Sequence, residues 1–251
     1  MTKMVGITHN IQCNNSPVEI VPISDLHIGD PFCDMKLIKK MIDDIQTIPN
    51  RYCVLCGDLM NTAIAGGKSD SYGETLTPQE QLDKAVELLK PIASKILAIV
   101  PGNHEERISR SVGVDMTKTL AKLLNLETLY SPNSALVFIK FGFAYSLYIN
   151  HGHGGGRRAG SKLNSLEDFA QIIDADIFIV GHTHLPASFK RVTYQIRSGK
   201  SVAVPHEQLF VNTASALQYG GYGNRNGYAP ASNRYPIITL DCTQHAMTVT
   251  L

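Results

Sequence analysis

The chain has 251 residues, 43% of them hydrophobic, which is enough apolar material for a large core in a single domain spanning 1–251. A formal net charge of +1 excludes a global electrostatic case for coating DNA or a membrane surface and leaves only local basic grooves for such contacts. No stretch is long and apolar enough to span a bilayer, and Met1, Thr2, Lys3, Met4, Val5 and Gly6 lack the apolar core of a signal peptide, so the expectation is a cytoplasmic protein with no membrane partner.

The first half alternates apolar runs with amphipathic segments, the pattern of strands joined by crossover helices, and so predicts an α/β fold. Residues 18–23 read as a strand. Segment 34–48 places Leu37, Ile38, Met41, Ile42, Ile45 and Ile48 at helical spacing, a helix with one buried stripe. A second strand over 52–56 runs into Gly57 and Asp58. It carries Cys53 and Cys56, which at that spacing point to opposite faces and read as packed thiols rather than a redox or zinc pair. The five cysteines, Cys13, Cys33 and Cys242 included, are odd in number and scattered, as expected of reduced thiols.

The stretch 62–77, rich in Gly, Ser and Thr, reads as a loop, and Pro78 opens a helix with Leu82, Ala85, Val86, Leu89 and Ile92 on one side. A third strand over 96–100 ends at Pro101, Gly102, Asn103 and His104. Helical patterns cover 115–125 and 162–173; between them 134–140 and 143–149 form a hairpin whose second strand delivers His151. The run 176–180 ends at Gly181 and His182, and the remainder is β-rich, with strands near 187–196, 201–213, 235–241 and 245–250. A Gly-, Asn- and Tyr-rich segment, 219–228, interrupts it.

Six of the nine histidines (His27, His104, His151, His153, His182 and His184) fall just after predicted strands, each beside Gly, Asp or Asn. In open α/β sheets ligands bind outside the strand C-termini, so several such ends can converge on one site. Taken singly, Asp25 or Asp58 would be a cap or turn residue, and one strand-end histidine would be ordinary. Jointly they form a donor set of imidazole nitrogens and carboxylate or amide oxygens without thiolate, which suits Mn, Fe, Zn, Ni or Co better than Ca or Mg. The donors are too many for one tetrahedral ion. Two ions about 3.5–4 Å apart would absorb them and clamp a phosphate for in-line attack.

The blocks Asp25-Leu26-His27, Gly57-Asp58, Gly102-Asn103-His104-Glu105, His151 and Gly181-His182-Thr183-His184 resemble, in order and neighbours, the pattern of the calcineurin-like metallophosphoesterase superfamily. The resemblance spans about residues 23–184 and implies a four-layer α/β/β/α sandwich with two mixed β-sheets. It implies two divalent transition-metal ions, manganese first: Asp25, His27 and His184 on one, Asn103, His151 and His182 on the other, with Asp58 bridging. His104 then protonates the leaving alkoxide, which suits an imidazolium, while the metals supply a hydroxide near neutral pH. Glu105 or another carboxylate would hold that histidine. His151 rather than His153 is taken as the ligand because it follows its strand directly, and His153 is left near the substrate.

Arg107 is a candidate catalytic residue through phosphate contact, set against a surface arginine pairing with Glu106 or Ser109. Arg157 and Arg158 suit further phosphates or a solvated loop; Tyr219, Tyr222 and Tyr228 suit base stacking or a tight turn. The run Gly102 to Arg107 and the late segment 211–215 resemble small stand-alone phosphoesterases of phages and bacteria, loosely grouped with the nuclease subunit of the SbcCD repair complex. The leading expectation is a phosphodiesterase or nuclease acting on a nucleotide or nucleic-acid ester. The alternatives are a phosphomonoesterase of protein-phosphatase type, or a non-catalytic scaffold of the same fold, which retention of every expected ligand and of His104 argues against. A homo-oligomer is left open.

Overall fold

The computed structural model describes residues 4, 6–12, 16–64, 70–196, 199 and 201–251. The expectations for Cys13, for part of segment 1–6 and for the middle of the 62–77 loop lie outside those residues.

Two mixed sheets form the centre. One runs β11(Met247–Thr250), β10(Ile237–Leu240), β2(Val18–Ile23), β3(Arg51–Cys56), β4(Ile96–Val100), with the last three parallel. The other runs β1(Ile7–Asn10), β5(Ser134–Phe141), β6(Phe143–Asn150), β7(Ile177–Val180), β9(Ala203–Asn212), β8(Ala187–Ile196), with β6, β7 and β9 parallel. The sandwich follows from the two-residue period of the strands. Val54 and Cys56 of β3 and Ile177 and Ile179 of β7 face the core between the sheets, whereas Cys53 and Leu55, and Phe178 and Val180, face outward. Cys53 and Cys56 therefore belong to different cores.

Helices cover both outer faces, completing the α/β/β/α order. Over the first sheet lie α1(Met35–Thr47), burying Ile38, Met41, Ile42 and Ile45, and α2(Pro78–Leu89), burying Leu82, Ala85, Leu88 and Leu89. Asp34 caps α1, and Thr77 with Glu80 forms a capping box before Pro78 at the start of α2. α4(Met116–Leu123) joins the same layer, and α5(Ala159–Asp168) places Leu166 against the second sheet beside Phe169. Among the described residues no helix is long and apolar enough to cross a membrane.

Three elements differ from expectation. α3(Asn103–Val112) has no apolar stripe, and its one buried residue is Glu105, so a search for hydrophobic period passes over it. β1 is a short strand of half-exposed residues beside β5. α6(Gly221–Arg225) is a single turn inside the glycine-rich segment.

Candidate metal centre

The segments that follow β2, β3, β4, β6 and β7 meet at one edge of the sandwich, because parallel strands deliver their C-terminal ends to the same side. The β2 and β3 ends stay zipped beyond the strands: Asp25 N–H donates to the Gly57 carbonyl at 3.0 Å, His27 N–H to Asp58 at 3.1 Å and Ile28 N–H to Leu59 at 3.0 Å. This bonding sustains strained backbone. Of the seven described non-glycine residues with positive φ, five are Asp25, His27, Asp58, His182 and His184. Close approach requires glycine at 102, where a Cβ would lie 2.1 Å from Asp58 N.

Two donor groups result. In the first, His184 Nε2 lies 3.1 Å from Asp25 Oδ1 and 3.2 Å from His27 Nε2, and His27 Nε2 lies 3.9 Å from Asp25 Oδ1. In the second, His151 Nε2 lies 3.1 Å from Asp58 Oδ2 and 3.1 Å from Asn103 Oδ1, and donor atoms of Asp58, His151 and His182 all fall within 4.8 Å of one another. Donor atoms of His27, Asp58 and His104 satisfy the same limit, so Asp58 touches both groups.

The surroundings orient these donors as a cation requires. Asp25 Oδ2 accepts the Ser24 hydroxyl at 2.5 Å, His182 N–H at 3.0 Å and the Thr213 hydroxyl at 3.4 Å. Its Oδ1 is buried with no hydrogen-bond donor and faces the two imidazole nitrogens, a costly orphan unless a cation sits there. His151 Nδ1 pairs with the Cys56 carbonyl at 2.8 Å, His27 Nδ1 with Asn61 Oδ1 at 3.1 Å and His104 Nδ1 with the Asn61 carbonyl at 2.8 Å, which turns each Nε2 toward the centre, as a lone pair in His27 and His104 and after loss of its proton in His151. His182 Nε2 pairs with the Gly154 carbonyl at 2.8 Å, which frees its Nδ1 instead. Cys56 stays out of the donor set, since burial pushes its thiol well above the usual range.

Burial holds the His27 imidazole down to about 3 and His104 to about 4, the latter against the pull of Asp58. Burial works the same way on His151, but the adjacent Asp58 carboxylate overrides it and lifts His151 to about 10. Asp25 and Asp58 are both driven below the usual carboxylate range: burial opposes this, and His184 and His151 respectively outweigh it.

Of the expectation that Glu105 or another carboxylate holds His104, the second half stands: Asp58 Oδ2 lies 3.8 Å from His104 Nε2, and Glu105 is engaged elsewhere. Its Oε2 accepts the N–H groups of Asp58 at 3.0 Å and Gly102 at 2.9 Å, its Oε1 that of Met60 at 2.9 Å, and His104 bonds to Asn61 instead. The carboxylate is occupied in tying the β3 and β4 loops together. Glu106 pairs with Arg110 at 2.6 Å, and the Arg107 charge acts on His104 and Glu74. His153 is exposed and lies edge-on to Phe169. Arg157 sits over the Tyr228 ring at 5.4 Å, Arg158 precedes α5, and Tyr219 hydroxyl reaches Asn224 at 3.5 Å. The Tyr222 side chain lies outside the described residues. The sequence reading passed over Ser24, Asn61, Glu74 and Thr213; the signal available for Asn61 was an amide three residues beyond Asp58, at the mouth of the loop.

The family model for calcineurin-like phosphoesterases matches residues 19–186. No curated protein matches the chain. Among solved structures, vacuolar protein sorting 29 of Cryptosporidium parvum is 17% identical with a TM-score of 0.46, covering 93% of this chain and 97% of that one. A metallophosphoesterase of Sphaerobacter thermophilus is 20% identical with a TM-score of 0.42, covering 92% and 87%. Vacuolar protein sorting 29 of Entamoeba histolytica, complexed with zinc, is 16% identical with a TM-score of 0.39, covering 93% and 97%.

Proposed function

Because the chain belongs to the calcineurin-like phosphoesterase family and is on that ground a metal-dependent phosphoesterase, we propose that its centre hydrolyses phosphodiesters of nucleotides or nucleic acids. The observation that carries this reading is the buried, donorless Asp25 Oδ1 facing His27 and His184, with Asp58 joining that group to His151 and His182. In this reading Asp25, His27 and His184 hold one ion, Asn103, His151 and His182 the second, and Asp58 both. The nitrogen and oxygen donors suit manganese first, then iron, zinc, nickel or cobalt. Two such ions, when bound, would supply an activated water and neutralise the charge on the phosphate oxygens.

The chain's own residues do the remainder. The first turn of α3 carries Asn103 and His104, so the positive end of that helix's macrodipole faces the centre and favours an anion there, while its Gly102 and His104 N–H groups are held by Glu105 and Asp58. Arg107, whose charge already reaches His104, adds to that attraction. His104 is neutral in the resting protein and donates its Nδ1–H in a hydrogen bond to the Asn61 carbonyl, leaving Nε2 without a proton. An anionic ester raises its proton affinity, so Nε2 takes a proton from solvent as substrate binds and passes it to the departing alkoxide, returning to the neutral ring. The nucleotide part of the reading is supported by the Arg157–Tyr228 pair, since the loop bearing Arg157 touches the centre through Gly154 and His182. A cationic plane on an aromatic ring suits a base and its phosphate.

The same reading takes 1–251 as one domain, supported by residues from Val18 to Met247 sharing the core between the sheets. It places the protein in the cytoplasm, supported by the thiols Cys33, Cys53 and Cys56.

The test is hydrolysis of bis-p-nitrophenyl phosphate and p-nitrophenyl phosphate by metal-stripped protein with Mn added back. Diester cleavage should require Mn, collapse in Asp58→Asn and fall about 10²–10⁴-fold in His104→Ala. Faster monoester cleavage would overturn the diesterase reading in favour of a phosphomonoesterase. No turnover with any of the five metals, with two ions bound, would overturn catalysis itself.

A further inference from the structure

A continuous chain of hydrogen bonds runs from a backbone N–H outside the centre to the His27 ring, and each link dictates the orientation of the next. It begins at Thr62, whose N–H can only donate and meets Gln81 Oε1 at 2.8 Å. The Gln81 amide is thereby turned so that its NH2 donates to Glu74 Oε2 at 2.5 Å and to the Leu76 carbonyl at 2.9 Å. Glu74, an acceptor only, takes its second donor from Asn61 Nδ2 at 2.5 Å on Oε1. The Asn61 amide is turned in consequence, and its Oδ1 faces His27 Nδ1 at 3.1 Å. An oxygen there demands Nδ1–H, which leaves the His27 Nε2 lone pair directed at Asp25 and His184.

We propose that Glu74 is a positioning residue that sets the His27 tautomer through Asn61, and thereby holds the Asp25–His27–His184 group ready for a metal ion. The metal half of this inference rests on the dimetal reading above. The inference itself concerns a residue in a loop without regular structure, remote in sequence from the histidine it controls. Asn61, Gln81 and Thr62 are buried at 3%, 0% and 0% exposure, so the amides cannot exchange these partners for bulk water. The chain also explains a strained residue. Thr62 is β-branched and sits at φ 43°, a conformation held by its N–H to Gln81 and its hydroxyl to the His104 carbonyl at 2.5 Å. Asn61 consequently offers both faces of one residue to the centre, its side chain to His27 and its carbonyl to His104 at 2.8 Å.

The substitution that probes this is Glu74→Gln, which keeps shape but has one acceptor oxygen where two NH2 groups need one. Either Gln81 or Asn61 must turn, and Gln81 is pinned by a backbone N–H. A turned Asn61 presents NH2 to His27 and selects the Nε2–H tautomer, with its proton where the metal should bind. Asn61→Asp alone sets a second carboxylate against Glu74. Combining Asn61→Asp with Glu74→Gln restores the complement: the new carboxylate accepts from His27 and from the new amide, and the amide oxygen accepts from Gln81.

Two-bond 1H–15N spectra of the histidine rings in metal-free protein read the tautomer directly, and Mn titration calorimetry reads the two sites. Wild type should show His27 protonated on Nδ1. Glu74→Gln should move it toward Nε2–H and weaken one of two Mn sites by about 10–100-fold, the usual scale for losing such a support. The double variant should recover both signals relative to either single variant. An unchanged His27 tautomer in Glu74→Gln, or a double variant no better than the singles, overturns the proposal. If wild type binds no Mn, the dimetal reading fails, and the tautomer spectra still decide whether Glu74 controls His27.

Discussion

The Glu105 carboxylate accepts the backbone N–H of Asp58 at 3.0 Å, while the Asp58 side chain accepts the backbone N–H of His104, the residue before Glu105, at 2.8 Å. Each acidic side chain thus fastens the other's loop, and the two have opposite duties. One is fully occupied by amides. The other keeps Oδ2 turned toward His151.

Glu105→Gln should therefore damage the scaffold before the chemistry. Glutamine has one acceptor oxygen, whereas Asp58, Gly102 and Met60 present three N–H groups, and the site is buried at 2% exposure. Leaving a buried donor unpaired costs about 1–3 kcal/mol. Urea unfolding should show a loss of that size in the metal-free protein. A midpoint equal to wild type would mean that the loops are held by other contacts.

Metal uptake should release a proton from His151 and none from His27. His151 is raised to about 10 by Asp58 against its burial, so the metal-free protein holds it charged at neutral pH, whereas burial keeps His27 at about 3 and already neutral. For a raised histidine the added stability is complete below its ordinary 6.5 and is lost as pH climbs through about 10. The metal-free denaturation midpoint should thus fall across that range, and Mn affinity should rise with it, because the ion must displace the proton. Calorimetry in two buffers of different ionisation enthalpy counts the proton. A midpoint independent of pH, or the same slope in His151→Gln, would contradict the assignment.

Asp34→Ala provides a contrast remote from the centre. Asp34 Oδ1 accepts the N–H groups of Lys36 at 3.1 Å and Leu37 at 3.0 Å at the start of α1. Losing such a cap costs about 1 kcal/mol, or about 2–4 °C in Tm for a chain of this size class. Thermal melts should show that shift with the turnover of bis-p-nitrophenyl phosphate unchanged. A change in turnover would mean that the Asp34 side chain, which accepts from Gln218, steadies the segment whose Ala216 N–H donates to the Asp25 carbonyl.

Much of the architecture was legible because it is written in local periods. The apolar residues of α1 and α2 repeat every three to four positions, and those of β3 and β7 form short unbroken runs ending at Gly57 and Gly181, so their elements could be read from neighbours alone. α3 escaped that reading because a carboxylate, not an apolar stripe, faces inward. The role first given to Glu105 failed for a related reason. Adjacency to His104 in sequence suggested a partner, but as the third residue of the helix Glu105 folds back onto Gly102 and the β3 loop.

The sequence by itself determined which residue types lie after each strand, and hence that imidazoles and carboxylates without thiolate gather at strand ends. That much depends only on alternation and on the parallel direction of β2, β3, β4, β6 and β7. Tertiary structure alone decided how those groups are turned: the strained φ of Asp25, His27, Asp58, His182 and His184, and the relay from Thr62 through Glu74 to His27. The physical reason is that a tautomer or a lone-pair direction is set by the partner on the far side of the ring, and that partner is brought there by packing between segments with no shared local period.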